Sequence, residues 1–122
     1  MLIVHSSLSS LGWVPGGPLG VLAGLIAALG PEGTLVLPAH SSENSEPSKW
    51  RNPPLPAEWW DTIRAELPAF DPARTPTRGM GAIAELFRTW PGVHRSDHPT
   101  CSFAARGPLA GEITSEHPLA RP

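Results

Sequence analysis

The chain has 122 residues, with nine Lys or Arg against eleven Asp or Glu, and a formal net charge of −2. This length suits one domain with a modest core, and the slight acidity argues against a nucleic-acid surface. The single cysteine excludes an internal disulfide framework and is typical of a reducing cytoplasm. No apolar run approaches the ~20 residues that a membrane-spanning helix needs.

The first forty residues have the pattern of a strand, a helix and a second strand. Leu2–Val4 is an apolar run typical of a buried strand, and "GTLVLPAH" at 33–40 is typical of another. Pro18 suits the first turn of the helix between them, and Gly30 suits its end. The apolar positions of this helix are Leu19, Leu22, Ile26 and Leu29. A strand–helix–strand unit of this length predicts parallel strands in a covered sheet.

The rest of the chain predicts further helices and one strand, and therefore an α/β protein. A helix follows Pro56, with Trp59 and Trp60 expected mostly in the core, and another begins at Gly81. The segment "PGVHRSDHP" is expected to turn, "TCSFAA" at 100–105 to form a strand, and "PLAGEITSEH" to form a final helix. The chain starts inside a strand and stops without a closing element. This favours a fragment, with a complete small domain with frayed ends as the alternative.

The loop after the first strand is rich in hydroxyls and glycine. It runs from His5 to Gly17, longer than the typical 2–6 residues of such connections. Ligands of α/β sheets bind beyond the carboxyl ends of strands, where hydroxyls and free N–H groups suit a polar ligand. The chain has no G-x-S-x-G turn and no P-loop, so neither a serine nucleophile nor nucleotide hydrolysis is indicated. Ordinary loop and cap chemistry is the alternative.

The helix that begins at Gly81 has an unusual entrance, "RTPTRGMG". Thr75, Thr77 and the two glycines leave backbone N–H groups open at the positive end of a helix. Arg74 and Arg78 add charge-assisted donors. The pattern predicts a cradle for an anion or a thioester chain, with a threonine cap and a glycine turn as the alternative.

The five histidines do not form a recognisable metal motif. His94 and His98 are four residues apart, but Pro99 argues against a helix there, and no carboxylate stands at zinc-site spacing. We therefore expect no metal. "HRSDHP" is expected to be a rigid turn held by hydrogen bonds of Arg95, Asp97 and His98, and Cys101 to be a small core residue in a strand.

The polar loop at 41–56 and the helix after it carry an acidic group. Its members are Glu43, Glu46, Glu58 and Asp61. A solvated loop is the default, and attraction of a polycationic substrate by the local negative field is the alternative. Trp50 lies in this loop, where an aromatic ring faces a ligand or packs beneath the loop.

Four ordered blocks resemble the aminoglycoside 3-N-acetyltransferase (antibiotic N-acetyltransferase) family over nearly the whole chain. They are "VHSSLSSLGWVPGG", "GPEGTLVLPAHSSENSEPSKWRNPPLP", "FDPARTPTRGMGAIAELFR" and "RSDHPTCSFAARG". The resemblance implies a three-layer α/β/α fold with a mixed, largely parallel sheet, of which residues 1–122 are the N-terminal part of the domain. It implies acetyl transfer from acetyl-CoA to an aminoglycoside amino group.

The resemblance also implies positions for the ligands. The coenzyme-binding set is His5, Ser6, Ser7, Leu8, Ser9, Thr75, Pro76, Thr77, Met80, Gly81, Ser96, His98 and Ser102, to which we add Arg74 and Arg78 on physical grounds as phosphate contacts. Glu43 and Trp50, in the loop that resembles the substrate-side wall, are expected to contact the amine. The family's general base, a histidine followed by a glutamate, is expected beyond Pro122, so no catalytic residue is assigned. A non-catalytic remnant that at most binds coenzyme A is the alternative.

Overall fold

The computed structural model describes residues 1–120, which form one mixed sheet with helices on both faces. The strands are β1 (Leu2–Ile3), β2 (Leu35–Pro38), β3 (His94–Arg95) and β4 (Phe103–Arg106), in the order β1-β2-β4-β3. The α-helices are α1 (Gly17–Leu29), α2 (Trp60–Glu66), α3 (Gly81–Phe87) and α4 (Ala110–Ser115). Single 3-10 turns lie at Leu8–Leu11, Ser42–Asn44, Pro47–Lys49 and Ala57–Trp59.

The strand pairings confirm a mixed sheet. β1 and β2 are parallel, as the strand–helix–strand pattern predicts, with Leu2 opposite Leu35. The pairs β2–β4 and β3–β4 are antiparallel. One of the three strand pairs among residues 1–120 is parallel, so the sheet is mixed but less parallel than the sequence predicts. The reason is that the short connection at 96–102 joins β3 to β4 as a hairpin, since it is too short for the crossover that parallel strands need.

The two faces of the sheet have separate cores, which gives the three expected layers. Side chains alternate along a strand, so Leu35 and Leu37 of β2 face one side and Val36 faces the other. The first core joins Leu35, Leu37 and Ala104 of the sheet to Leu22 of α1 and to Ile83 and Phe87 of α3. The second joins Val36 and Ala105 to Ala110 and Ile113 of α4. Helices α1 and α3 thus cover one face, and α4 covers the opposite face.

Helix α1 has the boundaries that its sequence predicts. Pro18 lies in its first turn, where the missing N–H costs no hydrogen bond. Gly30 follows the last turn at φ 67°, a conformation that favours glycine, and its N–H donates to the carbonyl of Ile26 at 3.1 Å.

Two predictions of burial are wrong. Leu2 and Ile3 are 39% and 54% exposed, because β1 lies at the edge of the sheet and pairs only with β2 among residues 1–120. Trp59 is 53% exposed, since α2 packs on the 3-10 turns beside it and not on the sheet.

The hairpin at 94–106 also differs in detail from its sequence pattern. His94–Arg95 is a strand rather than part of a turn, and β4 begins at Phe103, three residues later than predicted. Cys101 is half-buried in the turn before β4, so its predicted place within a strand is wrong. The N–H of Ser96 donates to the carbonyl of Phe103, and the N–H of Phe103 donates to Ser96 Oγ. These two bonds close the turn and shorten the strand.

The leucines of α1 give a matched test of the first core. Replacing Leu22, which is fully buried, with Ala should lower the free energy of unfolding by about 2–5 kcal/mol, because it removes packed methyl groups and leaves a cavity. Leu19→Ala, in the same helix but at a 55% exposed position, should change it by less than about 0.5 kcal/mol. Urea unfolding followed by circular dichroism measures both, and equal losses would contradict this placement of the core.

Candidate functional site

The serine loop and the entrance of α3 line one groove. It has a volume of about 460 Å³ and is lined by Ser6, Ser7, Leu8 and Ser9 on one side and by Gly79, Met80, Gly81 and Ala82 on the other. Gly81 has φ +85°, and a Cβ built on it would stand 3.7 Å from the carbonyl oxygen of Ser6. The two backbones therefore run close together, although 75 positions separate Ser6 from Gly81 in the chain.

The hydroxyls of the serine loop bond to each other. Ser7 Oγ lies 3.1 Å from Ser9 Oγ, and Ser10 Oγ donates to Ser7 Oγ at 3.0 Å. Ser7 precedes the 3-10 turn without capping it by its side chain. Leu8 packs against the core and anchors the loop. These hydroxyls are not consumed by helix capping, and a ligand in the groove can reach them.

The threonines of the α3 entrance serve mainly to hold the segment in place. The N–H and Oγ1 of Thr77 donate to Glu85 Oε2 at 2.7 and 2.6 Å. Thr75 Oγ1 accepts from the N–H of Asp71 at 2.9 Å. Thr75 and Pro76 line a different pocket, of about 430 Å³, together with Glu43 and Asp71. Within this entrance, residues 79–81 line the groove, and two of these three are glycines.

Glu85 and Arg88 join this entrance to its own helix, and the sequence analysis missed both. Arg88 donates to Glu85 Oε1 from Nε at 2.9 Å and to the carbonyl of Ala73 from Nη1 at 3.2 Å. Partial burial alone would raise the pKa of Glu85, but the hydrogen bonds from Arg88 and Thr77 outweigh it and lower that pKa from 4.5 to about 2.

Arg95 of β3 is a second organising residue. Its Nη1 donates to the carbonyl of Thr75 at 2.5 Å, its Nη2 to the carbonyl of Ala39 at 2.7 Å, and its Nε to Ser102 Oγ at 3.0 Å. The guanidinium also lies 5.0 Å from the centre of the Phe70 ring. Burial, with repulsion from Arg88, lowers the pKa of Arg95 to about 10, so the group stays charged at neutral pH.

Ser96, His98 and Ser102 lie around the hairpin, and their bonds are internal. Ser102 Oγ donates to the carbonyl of Ala39 at 2.7 Å, and Ser96 Oγ accepts from the N–H of Phe103 at 2.9 Å. The N–H groups of Thr100 and Cys101 donate to His98 Nδ1 at 3.2 and 2.9 Å. The predicted role of Arg95 and His98 in holding this turn is confirmed, whereas Asp97 makes no side-chain hydrogen bond within residues 1–120.

Histidines gather beyond the ends of β1 and β2. His40 follows β2, and burial, then repulsion from His5 and His98, lowers the pKa of His40. Burial, then repulsion from His98 and His40, also lowers the pKa of His117, whose ring lies 4.6 Å from that of His98. The Nε2 atoms of His40 and His98 are buried without a hydrogen-bond partner among residues 1–120. The sequence gives no indication that His40 belongs to such a cluster, because the fold alone decides which histidines lie near it.

Glu43 and Trp50 line a third pocket together with Arg78. Its volume is about 380 Å³. Arg78 Nη1 lies 3.4 Å from Glu43 Oε1, so the carboxylate expected to face an amine is paired with a guanidinium of the chain itself. Arg74 pairs with Asp71 at 3.3 Å. Neither arginine lines the groove at 79–82, although Arg78 immediately precedes it.

Among residues 1–120, no three His, Cys, Asp or Glu side chains are grouped so that they could hold a metal ion. No helix in that range has the length and apolarity to cross a membrane.

The fold and the groove define an α/β protein with a polar, backbone-lined cleft at the edge of its parallel strand pair. The family model for aminoglycoside 3-N-acetyltransferases matches residues 3–122, and the chain belongs to this family. It is 53% identical to the SPbeta prophage-derived aminoglycoside N(3′)-acetyltransferase-like protein YokD of Bacillus subtilis (strain 168), over 97% of this chain and 44% of that protein.

Solved structures agree with the family assignment. The crystal structure of YokD superposes with a TM-score of 0.94, covering 96% of this chain and 47% of that one. AAC-IIIb in a binary complex with CoASH gives 0.74 at 33% identity, covering 96% and 42%. AAC-VIa bound to sisomicin gives 0.77 at 34% identity, covering 95% and 42%. The chain thus spans somewhat under half the length of the relatives it matches.

Arg95 gives a test of the network that fixes the groove. Arg95→Lys should lower the free energy of unfolding by about 2 kcal/mol or more, because an ammonium cannot reach three separated acceptors and leaves buried carbonyls unpaired. Arg106→Lys is the matched control, since Arg106 donates to one carbonyl, that of Pro91. Urea unfolding at pH 7 measures the free energy of unfolding of both variants. Equal losses would show that the Arg95 contacts stabilise the fold no more than the single contact of Arg106.

The lowered pKa of Glu85 predicts a pH-dependent contribution to stability. A carboxyl whose pKa is lower in the folded chain stabilises it fully above the unfolded pKa, near 4.5, and loses this effect as pH falls towards about 2. The stability advantage of the native chain over Glu85→Gln should therefore be constant above pH 4.5 and shrink below it. Urea midpoints of both chains from pH 7 to pH 2.5 test this, and a pH-independent difference would contradict the lowered pKa.

Proposed function

We propose that this chain forms the acetyl-CoA side of an aminoglycoside 3-N-acetyltransferase, which transfers acetyl from the coenzyme to an amino group of the drug. The observation that carries the proposal is the groove shared by Ser6–Ser9 and Gly79–Ala82. Family membership and the CoASH complex of AAC-IIIb support the choice of coenzyme. The sisomicin complex of AAC-VIa supports an aminoglycoside as acceptor.

The groove suits the extended arm of the coenzyme. That arm is a flexible chain with two amide groups, which need donors and acceptors at intervals and room for close backbone approach. The serine hydroxyls of the loop and the backbone at 79–81 supply these groups. Gly81 is required because its φ of +85° is strained for any residue with a side chain.

The reaction itself sets a further requirement. The acceptor ammonium loses a proton, the free amine attacks the thioester carbonyl to form the C–N bond, and the C–S bond breaks. The coenzyme leaves as a thiolate, which takes up the second proton that the nitrogen loses on becoming an amide. A positioned base contributes typically 10²–10⁴-fold to such a step. None of the histidines described here is assigned that role, and the proposed base lies outside the described residues.

A second candidate function is the binding of coenzyme A without acetyl transfer. The internal bonding of Ser96, Thr77 and Ser102 favours it, because these side chains hold the fold and are not free for chemistry. The release of free thiol from acetyl-CoA in the presence of sisomicin tests whether the 122-residue chain transfers acetyl by itself. We expect coenzyme binding without turnover for the 122-residue chain, and robust turnover would show that the base lies within it.

The groove can be blocked with a matched pair of variants. Ala82 is exposed, lies on α3 and lines the groove, whereas Ala65 is exposed on α2 and lines none of the pockets described above. Ala82→Glu should weaken CoA binding roughly tenfold or more, since it fills the groove and repels the anionic coenzyme, whereas Ala65→Glu should leave it unchanged. Isothermal titration calorimetry, with circular dichroism to confirm folding, measures the effect.

The outcomes of this titration are distinct. Equal affinity of the two variants would place the coenzyme elsewhere. The absence of CoA binding by the native folded chain would contradict both the transferase proposal for this groove and the binding-only alternative.

A further inference from the structure

The side chain of His117 joins the residues after α4 to the hairpin at 94–106. Its Nδ1 lies 2.9 Å from Ser96 Oγ. Its ring centre lies 4.6 Å from that of His98 and 6.0 Å from that of Phe103. No backbone hydrogen bond of a turn or loop joins residues 117–120 to another part of residues 1–120. The contacts of His117 therefore hold this segment against the sheet.

The turn around His98 requires the neutral form of that ring. The N–H groups of Thr100 and Cys101 donate to His98 Nδ1 at 3.2 and 2.9 Å. A ring nitrogen that accepts hydrogen bonds carries no proton, so these bonds assign the hydrogen of His98 to Nε2. A second proton could be added only at Nδ1, where it would break both bonds. His117 is therefore the ring of this pair that can take up a proton without breaking the turn.

The neighbours of His117 oppose a positive charge on its ring. His98 and Phe103 face it from the hairpin, His40 acts on it from the end of β2, and His5 in turn acts on His40. Burial, followed by repulsion from His98 and His40, lowers the pKa of His117 below its ordinary value of 6.5. The ring is thus held in a place that suits its neutral form.

Two carboxylates lie near His117 without pairing with it. Asp97 and Glu116 line a pocket of about 630 Å³ together with His117. Both are exposed, and among the ion pairs of residues 1–120 neither joins His117. Because solvent screens exposed charges, these carboxylates do not compensate a proton on the ring.

Protonation of His117 changes the hydrogen bond that it makes to the hairpin. Ser96 Oγ accepts from the N–H of Phe103, and its own hydrogen can be donated to Nδ1 of neutral His117. A proton on Nδ1 removes that acceptor and places a charge beside the His98 ring. The neutral ring stabilises the held segment fully above pH 6.5, and this stabilisation is lost as pH falls below 6.5.

We propose that His117 is a pH-sensitive latch, which holds residues 116–120 against the hairpin when its ring is neutral and releases them when the ring is charged. The proposal is independent of coenzyme binding and of acetyl transfer. Release exposes the faces of His98 and Phe103 that the His117 ring covers. It leaves the first core packed, because the buried residues of that core include no titratable side chain.

Nuclear Overhauser effects (NOEs) between the rings test the latch in the native chain. The NOEs from His117 to His98 and Phe103 should be present at pH 7.5. They should disappear between pH 6.5 and pH 4, over the same range in which the His117 ring signals show that it becomes charged. Each pH unit below 6.5 should shift the ratio of held to released chains towards release by up to about tenfold.

Two variants separate His117 from the other histidines. His117→Phe keeps an aromatic ring that cannot titrate, so the contacts of residue 117 with His98 and Phe103 should persist down to pH 4. His94→Gln removes an exposed histidine of β3 and should leave the pH-dependent loss unchanged. The methyl and ring signals of Leu22 and Phe87 in the first core should keep their positions throughout, which distinguishes release from unfolding.

The native chain decides the question even if His117→Phe fails to fold. The latch is overturned if the NOEs persist after His117 has become charged, or if the signals of the first core collapse together with them. It is also overturned if the contacts of His117→Phe are lost over the same pH range, since another group would then cause the release.

Discussion

The guanidinium of Arg95 is the constraint on which the site depends. A charged group at this depth is tolerated only if its donors are satisfied, and Arg95 meets this requirement with acceptors from three parts of the chain. They are Ala39 at the end of β2, Ser102 before β4, and Thr75 in the segment that leads to α3. Three segments distant in sequence are therefore held at one point, and the entrance of α3 cannot move away from the sheet without leaving that charge unpaired.

The position of the groove follows from this constraint and from a second one at the other end of the entrance. Glu85 accepts both the N–H and the hydroxyl of Thr77, so the segment is tied to α3 as well as to the sheet. Between Thr77 and Glu85 the chain passes through Gly79 and Gly81, and this part of the entrance lines the groove opposite the serine loop. The polar side chains of the entrance thus fix the segment that lines the groove.

The sequence predicts the parts of this arrangement that are local. The spacing of Leu22 and its neighbours, with Pro18 and Gly30, is enough to place α1, and the four family blocks are enough to place the serine loop and the α3 entrance at one site. It fails where the outcome depends on neighbours. The exposure of Leu2 and Ile3 depends on which strand lies at the edge, and the parallel share of the sheet depends on a hairpin that no local pattern specifies. Glu85 and His40 were missed as site-forming residues, and Arg95 was expected only to hold its own turn. Arg95 bonds to Thr75 and Ala39, which are 20 and 56 positions away, and only the fold brings these partners together.

Charge separates the surroundings of the groove into two pockets that share Glu43. On one side Glu43 stands with Lys49, Arg51 and Arg78, and on the other it stands with Asp71 and Arg74. The first side has an excess of cations and the second an excess of carboxylate, because Arg74 pairs with Asp71 while Glu43 adds a second negative charge. The Glu43–Arg78 ion pair lies at the boundary between these two pockets, where the sign of the local electrostatic field changes.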